Sequence, residues 1–181
     1  MPNITFTPFP NLTTERLTLR QLEVNDEQEI FTLRSDREIN KYLGRKIANT
    51  IDDARNFINS VNENINKNNS VYWAITFSGK NRLIGTICLF SFSDENGKYE
   101  IGYELLTDFQ GQGIMKEALG KVIEYAFNSI NVQKIQAFFH KDNQRSKTLL
   151  EKLSFKDSNE PDRTEPDLVC YHLSNSVGNH K

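Results

Sequence analysis

The sequence predicts a mixed α/β (α+β) chain built on one central, mostly antiparallel sheet flanked by helices. Between residues 71 and 106, three apolar runs follow one another across turn signals, which reads as a meander of antiparallel strands. Amphipathic helical patterns lie before and after that meander. Strands and helices do not alternate strictly, which argues against an all-parallel sheet.

The 181 residues fit one domain, with a core over about residues 14–173 and a loose tail at 174–181. Hydrophobic residues make up 37% and charged residues 25%, enough apolar material for a real core. Twelve Phe and six Tyr point to a core or cleft rich in aromatics. The formal charge is −2 and no long basic run appears, so no direct nucleic-acid partner is expected. Cys88 and Cys170 sit in apolar stretches and read as buried free thiols. Neither has metal-ligand spacing, nor do His172 and His180, and no metal is expected. The N-terminus lacks a charged-then-apolar signal pattern, and no stretch approaches the roughly 20 apolar residues of a membrane span. A soluble cytoplasmic protein is the expectation.

The elements read in order as follows. A short arm with three prolines covers the first ten residues. Residues 14–22, TERLTLRQL, alternate as a strand. A short helix begins at Asn25 or Asp26, and a second short helical pattern covers residues 37–43. Thr50 caps a clearer helix, with Asp53 three positions on. Ala54, Phe57, Ile58, Val61 and Ile65 form its apolar stripe, and the Asn-rich segment 62–69 frays into a loop. Strands follow at 71–77, 82–92 and 98–106, the last two joined by an Asn96-Gly97 hairpin signal. A four-turn helix starts after Gly113, with a strand at 134–140 beyond it. Asn143 opens another helix, and residues 167–173 give a last strand.

The segment FQGQGIMKEALG, from Phe109 to Gly120, places two glycines at the mouth of a helix. The first helical turn leaves backbone N–H groups unpaired, and the peptide dipoles favour negative charge there. Glycines let a ligand approach the main chain closely. The combination suits a phosphate or pyrophosphate. It is not a Walker A loop, which needs Gly-Lys-Ser/Thr, nor the three-glycine dinucleotide fingerprint. Taken alone, the pattern is equally consistent with a plain turn.

The wider context narrows the choice. YEIGYELLTDFQGQGIMKEALGKVIEYAF, then IQAFFHKDNQRSKTLLEKLSF, with TERLTLRQL and LIGTICL upstream, resembles the GCN5-related N-acetyltransferases (GNAT). The likeness is to their branch that acetylates ribosomal-protein N-termini, and it covers residues 14–155. It implies a GNAT-like sheet of six to seven strands, splayed at an acetyl-CoA site. The family's acetyl-CoA loop falls on Gln110, Gly111, Gln112, Gly113, Ile114 and Met115, with Met115 departing from the strict last position. By the resemblance, the amides of residues 111–115 cradle the CoA pyrophosphate. The strand ending at Leu105 and Leu106 parts from the strand at 135–139, freeing backbone groups for the pantetheine arm. Asn143 and Ser146 match the family's Asn-x-x-Ser beside the thioester. Leu150 stands where many relatives carry a tyrosine general acid, which puts a tyrosine mechanism in doubt. Ser154 stands where the family's Leu-Gly-Phe has glycine, at a small cost in turn stability.

Acetyl transfer needs a neutral amine, a stabilised thioester oxygen and a protonated or tolerated thiolate. Glu100 and Glu104 share a strand face with Gly102 between them, so each is a candidate base, with a solvated strand face as the alternative. Ser146 is a candidate proton donor to the thiolate, or a first-turn helix serine. His140 reads as structural rather than as a base, and Tyr103 as core. Tyr42 and Trp73 are candidate acceptor contacts, with core packing as the alternative. The resemblance implies the N-terminal amine of a ribosomal protein as acceptor, and homodimerisation is a family habit that no stretch here marks. A small-molecule amine acceptor and a noncatalytic acyl-CoA-binding module remain open alternatives.

Overall fold

The computed structural model describes residues 4–93, 97–159 and 165–176. The sheet is made of β1 (Leu12–Thr13), β2 (Leu17–Gln21), β3 (Ser70–Phe77), β4 (Leu83–Ser93), β5 (Lys98–Leu105), β6 (Lys134–His140), β7 (Lys156–Asp157) and β8 (Leu168–Ser174). Helices are α1 (Glu27–Ser35), α2 (Ile51–Asn66), α3 (Ile114–Asn128) and α4 (Gln144–Lys152). The strands form one sheet in the order β1-β2-β3-β4-β5-β6-β8-β7. The β5–β6 pair is parallel and every other pair is antiparallel. Helix α3 makes the crossover that a parallel pair requires. Two of the eight strands, β1 and β7, are two-residue pairings too short to leave an alternating signal in the sequence.

Helix α2 starts as expected. The Thr50 hydroxyl accepts from the Asp53 N–H, and the Asp53 carboxylate accepts from the Thr50 N–H. It runs on to Asn66, past the fraying predicted from Asn62, because Ile65 is buried and holds the last turn to the core. The segment 37–43 is not a helix but a series of turns. Asp36 Oδ1 accepts from the N–H groups of Glu38 and Ile39, and buried Asn40 donates to the Leu33 and Asp36 carbonyls. These local bonds take the place of a helical ladder. Of the hairpin turn, Asn96 lies outside the described residues, and Gly97 adopts φ +57°. His180 is also outside them.

The sheet's two faces carry separate cores. On one, Ile114, Met115, Ala118, Leu119, Val122 and Ala126 of α3 pack with Trp73, Ile75, Ile101 and Leu105. On the other, Ile30 and Leu33 of α1 and Ala54 and Ile58 of α2 pack with Ala74, Leu83 and Leu106. Alternation along β5 therefore aims Ile101, Tyr103 and Leu105 toward α3, and Glu100, Gly102 and Glu104 toward α1 and α2. Among the described residues, no helix is long and apolar enough to cross a membrane.

Candidate active site

The β5–β6 pairing is short. It joins Lys98 to Lys134, Tyr99 to Ile135 and Glu100 to Gln136, then stops. Strand β5 continues along β4 to Leu105, and β6 continues along β8 to His140. The two strands thus part beyond Glu100, as the sequence led us to expect. The Leu106 N–H donates to the Ile84 carbonyl on the β4 side, so by alternation the backbone groups of Ile101, Tyr103 and Leu105 aim into the gap. The Leu106 N–H is taken by the Ile84 carbonyl and its own carbonyl accepts from the Phe109 N–H, so of the two leucines expected at the cofactor, Leu105 is the one whose N–H faces the gap. Leu105 keeps its N–H toward the gap, while its carbonyl accepts from the Gln110 side chain at 3.0 Å.

The glycine loop sits at the open end of that gap. Gly111 and Gly113 both have φ +74°, in the left-handed region that favours glycine. Helix α3 starts directly at Ile114 with Gly113 as N-cap and no side-chain cap. Among the described residues, none of the N–H groups from Gly111 to Lys116 has an acceptor. A Cβ built on Gly111 would meet nothing within 4 Å, so the loop backbone lies open to an approaching group. Side chains fix it from both flanks. Arg16 Nη1 donates to the Gln112 carbonyl at 3.1 Å while its Nε pairs with Glu117 at 2.6 Å. Gln110 Oε1 accepts from Arg145 Nη1 at 2.5 Å, which sets a cation beside the loop. Ile114 and Met115 are buried, so their side chains anchor the helix while their amides stay at the loop. A row of unpaired N–H groups, left-handed glycines and a flanking guanidinium fits a diphosphate.

At the start of α4, the Asn143 side chain accepts from the Ser146 N–H at 3.2 Å. Ser146 is buried, and its hydroxyl is hydrogen-bonded to that of Tyr103 from β5. Burial pushes the Tyr103 phenol up to about 12, with the Ser146 bond pulling the other way. Tyr103 packs against the core as expected, and its hydroxyl also brings a phenol to this place from a different element than Leu150, which is fully buried. Nothing in the local spacing signals this contact, because it joins residues 43 positions apart. Arg16 and Arg145 were missed for the same reason.

The opposite face of β5 is charged. Glu100 has no ion pair or hydrogen bond among the described residues. Burial alone lifts its carboxyl to about 7. Glu104 is held differently: Arg45 Nη2 lies 2.5 Å from Oε2 and Nη1 3.2 Å from Oε1, and the carboxylate side chain is 7% exposed. Thr86 Oγ1 is 3.5 Å from Oε1 and 3.1 Å from the Tyr72 hydroxyl. Arg45 therefore engages Glu104 on both oxygens, whereas Glu100 has no such partner among the described residues. The opening expected at Gly102 is narrow, since a Cβ there would lie 3.1 Å from the Cys88 sulfur. Burial pushes that thiol up to about 12, so it is not a nucleophile.

Tyr42 and Trp73 part company. The Tyr42 ring stacks on His140 at 5.2 Å, bridging the α1–α2 connection to the end of β6 at the mouth of the gap. Trp73 is fully buried on the α3 face, edge-on to Tyr125 at 5.7 Å, and donates its indole N–H to the Pro10 carbonyl at 2.7 Å. The strand period turns it away from the acceptor face, so Trp73 is corrected to a core residue. Among the described residues, no group of His, Cys, Asp and Glu is placed to hold a metal ion.

Residues 16–156 match the family described as Acetyltransferase (GNAT) domain. The chain is 36% identical over 146 residues to the uncharacterized N-acetyltransferase p20 of Bacillus licheniformis, covering 80% of this chain and 82% of that one. It is 25% identical over 171 residues to the putative ribosomal N-acetyltransferase YdaF of Bacillus subtilis, covering 88% and 91%. The fold is similar to the crystal structure of spermidine N-acetyltransferase from Vibrio cholerae in complex with CoA and spermine. That likeness has a TM-score of 0.78 at 22% identity, over 90% of this chain and 98% of that one. The splayed strands, the open glycine loop and the family match together place this chain among the GNAT enzymes, as an N-acetyltransferase.

Proposed function

We propose that this enzyme moves the acetyl group of acetyl-CoA directly onto the N-terminal α-amine of a protein. The observation that carries the cofactor assignment is the run of unpaired N–H groups from Gly111 to Lys116 at the end of the β5–β6 gap. These groups and Arg145 hold the diphosphate, and the gap-facing backbone of Ile101, Tyr103 and Leu105 aligns the pantetheine arm. Acetyl-CoA supplies the activated thioester. The acceptor amine approaches from the α1–α2 face, where Glu100 takes its proton directly or through a water. A carboxyl with a value near 7 is suited to that task at neutral pH. On the other face, the Ser146 hydroxyl, held by Tyr103 and by the Asn143 cap, hydrogen-bonds the leaving sulfur, and the proton lost by the acylated nitrogen neutralises the thiolate. No covalent acyl-enzyme is needed.

The choice of a protein N-terminus rests on the resemblance to the ribosomal-protein branch and on the similarity to the putative ribosomal N-acetyltransferase YdaF. The test is to incubate the enzyme with acetyl-CoA and peptides carrying free or blocked N-termini, beside spermidine, and locate the acetyl group by mass spectrometry. The proposal expects acetylation of the free α-amine. Acetylation of spermidine with none of the peptides would overturn it.

A further inference from the structure

One cation on the acceptor face, Arg34, has no ion-pair partner among the described residues. The last turn of α1 carries Arg34, whose guanidinium carbon lies 3.9 Å from the centroid of the Phe57 ring. Phe57 meets Tyr72 edge-on at 5.6 Å, and the Tyr72 hydroxyl reaches Thr86, which contacts Glu104. Arg34, Arg45 and Glu104 therefore belong to one half-buried cluster. Glu104 is spent on Arg45, which also donates to Asn40 Oδ1 at 2.7 Å. Among the described residues, Arg34 has no carboxylate within 4.0 Å and no acceptor for its guanidinium. Burial holds its pKa below the usual arginine value, the neighbouring Arg45 charge adds to that effect, and the more distant Glu104 charge opposes it. A half-buried charge without a partner is costly. The negative end of α1 and the face of the Phe57 ring offset part of that cost, which is the purely structural account of Arg34.

We infer that Arg34 receives a carboxylate of the acceptor, so that the preferred substrate is an N-terminal amine followed closely by an acidic side chain. This rests on the acetyl-transfer reading above and names the acceptor class for that same site. Along β5, Glu104 lies about 7 Å beyond Gly102, by the strand rise of roughly 3.3 Å per residue. An extended peptide whose amine lies beside Gly102 covers that span in about two residues and so reaches the cluster of Glu104, Arg45 and Arg34. The unpaired Arg34 charge opposes a polyamine, whose further ammonium groups it would repel.

The test compares three peptides identical except at the second residue, Asp, Asn or Lys, each with the wild type, Arg34→Gln and Arg34→Lys. In the wild type, kcat/KM for the Asp peptide exceeds that for the Asn peptide by about tenfold, mostly through KM, and the Lys peptide is slowest. The Asp-to-Asn ratio falls to about one in Arg34→Gln and is partly restored in Arg34→Lys. Free serine compared with serinamide adds a second arm, in which a preference for serine that Arg34→Gln abolishes places the same charge contact on an α-carboxylate. Acetyl-CoA affinity, measured in parallel, stays at the wild-type value in both variants. Equal kcat/KM for the Asp and Asn peptides in the wild type, or a ratio that Arg34→Gln leaves untouched, would overturn the inference while leaving acetyl transfer intact. Bound acetyl-CoA with none of the acceptors acetylated would remove the transfer reading and this inference with it.

Discussion

Strand β5 shows two different chemistries on its two faces. Toward α3 and α4 it presents Tyr103, whose phenol meets the Ser146 hydroxyl, a neutral pair that burial keeps protonated. Toward α1 and α2 it presents Glu100 and Glu104, one bare and raised to about 7, the other locked to Arg45. In the proposed mechanism the two faces have opposite tasks: one assists the leaving thiolate, and the other takes a proton from the acceptor ammonium before the neutral amine attacks. Two-residue periodicity lets one short strand supply both without their neutralising each other.

The sharpest way to break this comparison is Glu100→Gln. We expect kcat/KM to fall about 100-fold, within the usual range for losing a general base. The wild-type rate rises with pH through about 7 as Glu100 ionises, followed by the ionisation of a peptide α-amine near about 8. In Glu100→Gln the limb near 7 disappears and only that of the amine remains. The sign for stability runs the same way. Glu100 binds its proton more tightly folded than unfolded, so its contribution is present at low pH and is lost as pH rises through about 7. Glu100→Gln is therefore more stable than wild type at pH 8, in urea unfolding monitored by circular dichroism.

The other face responds differently. Ser146→Ala and Tyr103→Phe should each lower kcat about tenfold while keeping the Glu100 limb of the pH profile. The double variant should be little worse than either alone, since the two hydroxyls act as one unit. A lost limb in Tyr103→Phe would mean the two faces are not separate devices.

Smaller effects test the frame that carries the strand. Thr50→Ala should cost about 1 kcal/mol of stability by removing the α2 cap, with no change in acetyl-CoA affinity. Ser154→Gly should gain roughly 0.5–1 kcal/mol, because Ser154 sits at φ +67° where a side chain is strained. Thermal denaturation checks both.

Much of this was legible from local pattern. The α2 capping box, the glycine loop and the shared face of Glu100 and Glu104 are all encoded at short spacing. The strained Ser154 turn followed from a single departure in a family motif. The rest depends on residues far apart in the chain. Arg45 reaches Glu104 across 59 positions, Arg145 reaches Gln110 across 35, and Trp73 is turned inward by packing against Tyr125. No window of sequence contains both partners, so the choice between two equivalent-looking glutamates had to wait for the fold. The turns at 37–43 were misread because Asp36 and Asn40 side chains compete for the backbone that a helix would use.

The most direct test of the account is a calorimetric titration of acetyl-CoA into the wild type and into Gly113→Val. A valine at φ +74° forces the loop out of the conformation that aligns its free N–H groups. Losing two such charge-assisted bonds, at about 1.5–3 kcal/mol each, should weaken binding by at least about 100-fold in a variant that melts cooperatively. Equal affinity in the two proteins would contradict the placement of the cofactor at this loop, and no binding by the wild type would contradict the enzyme itself.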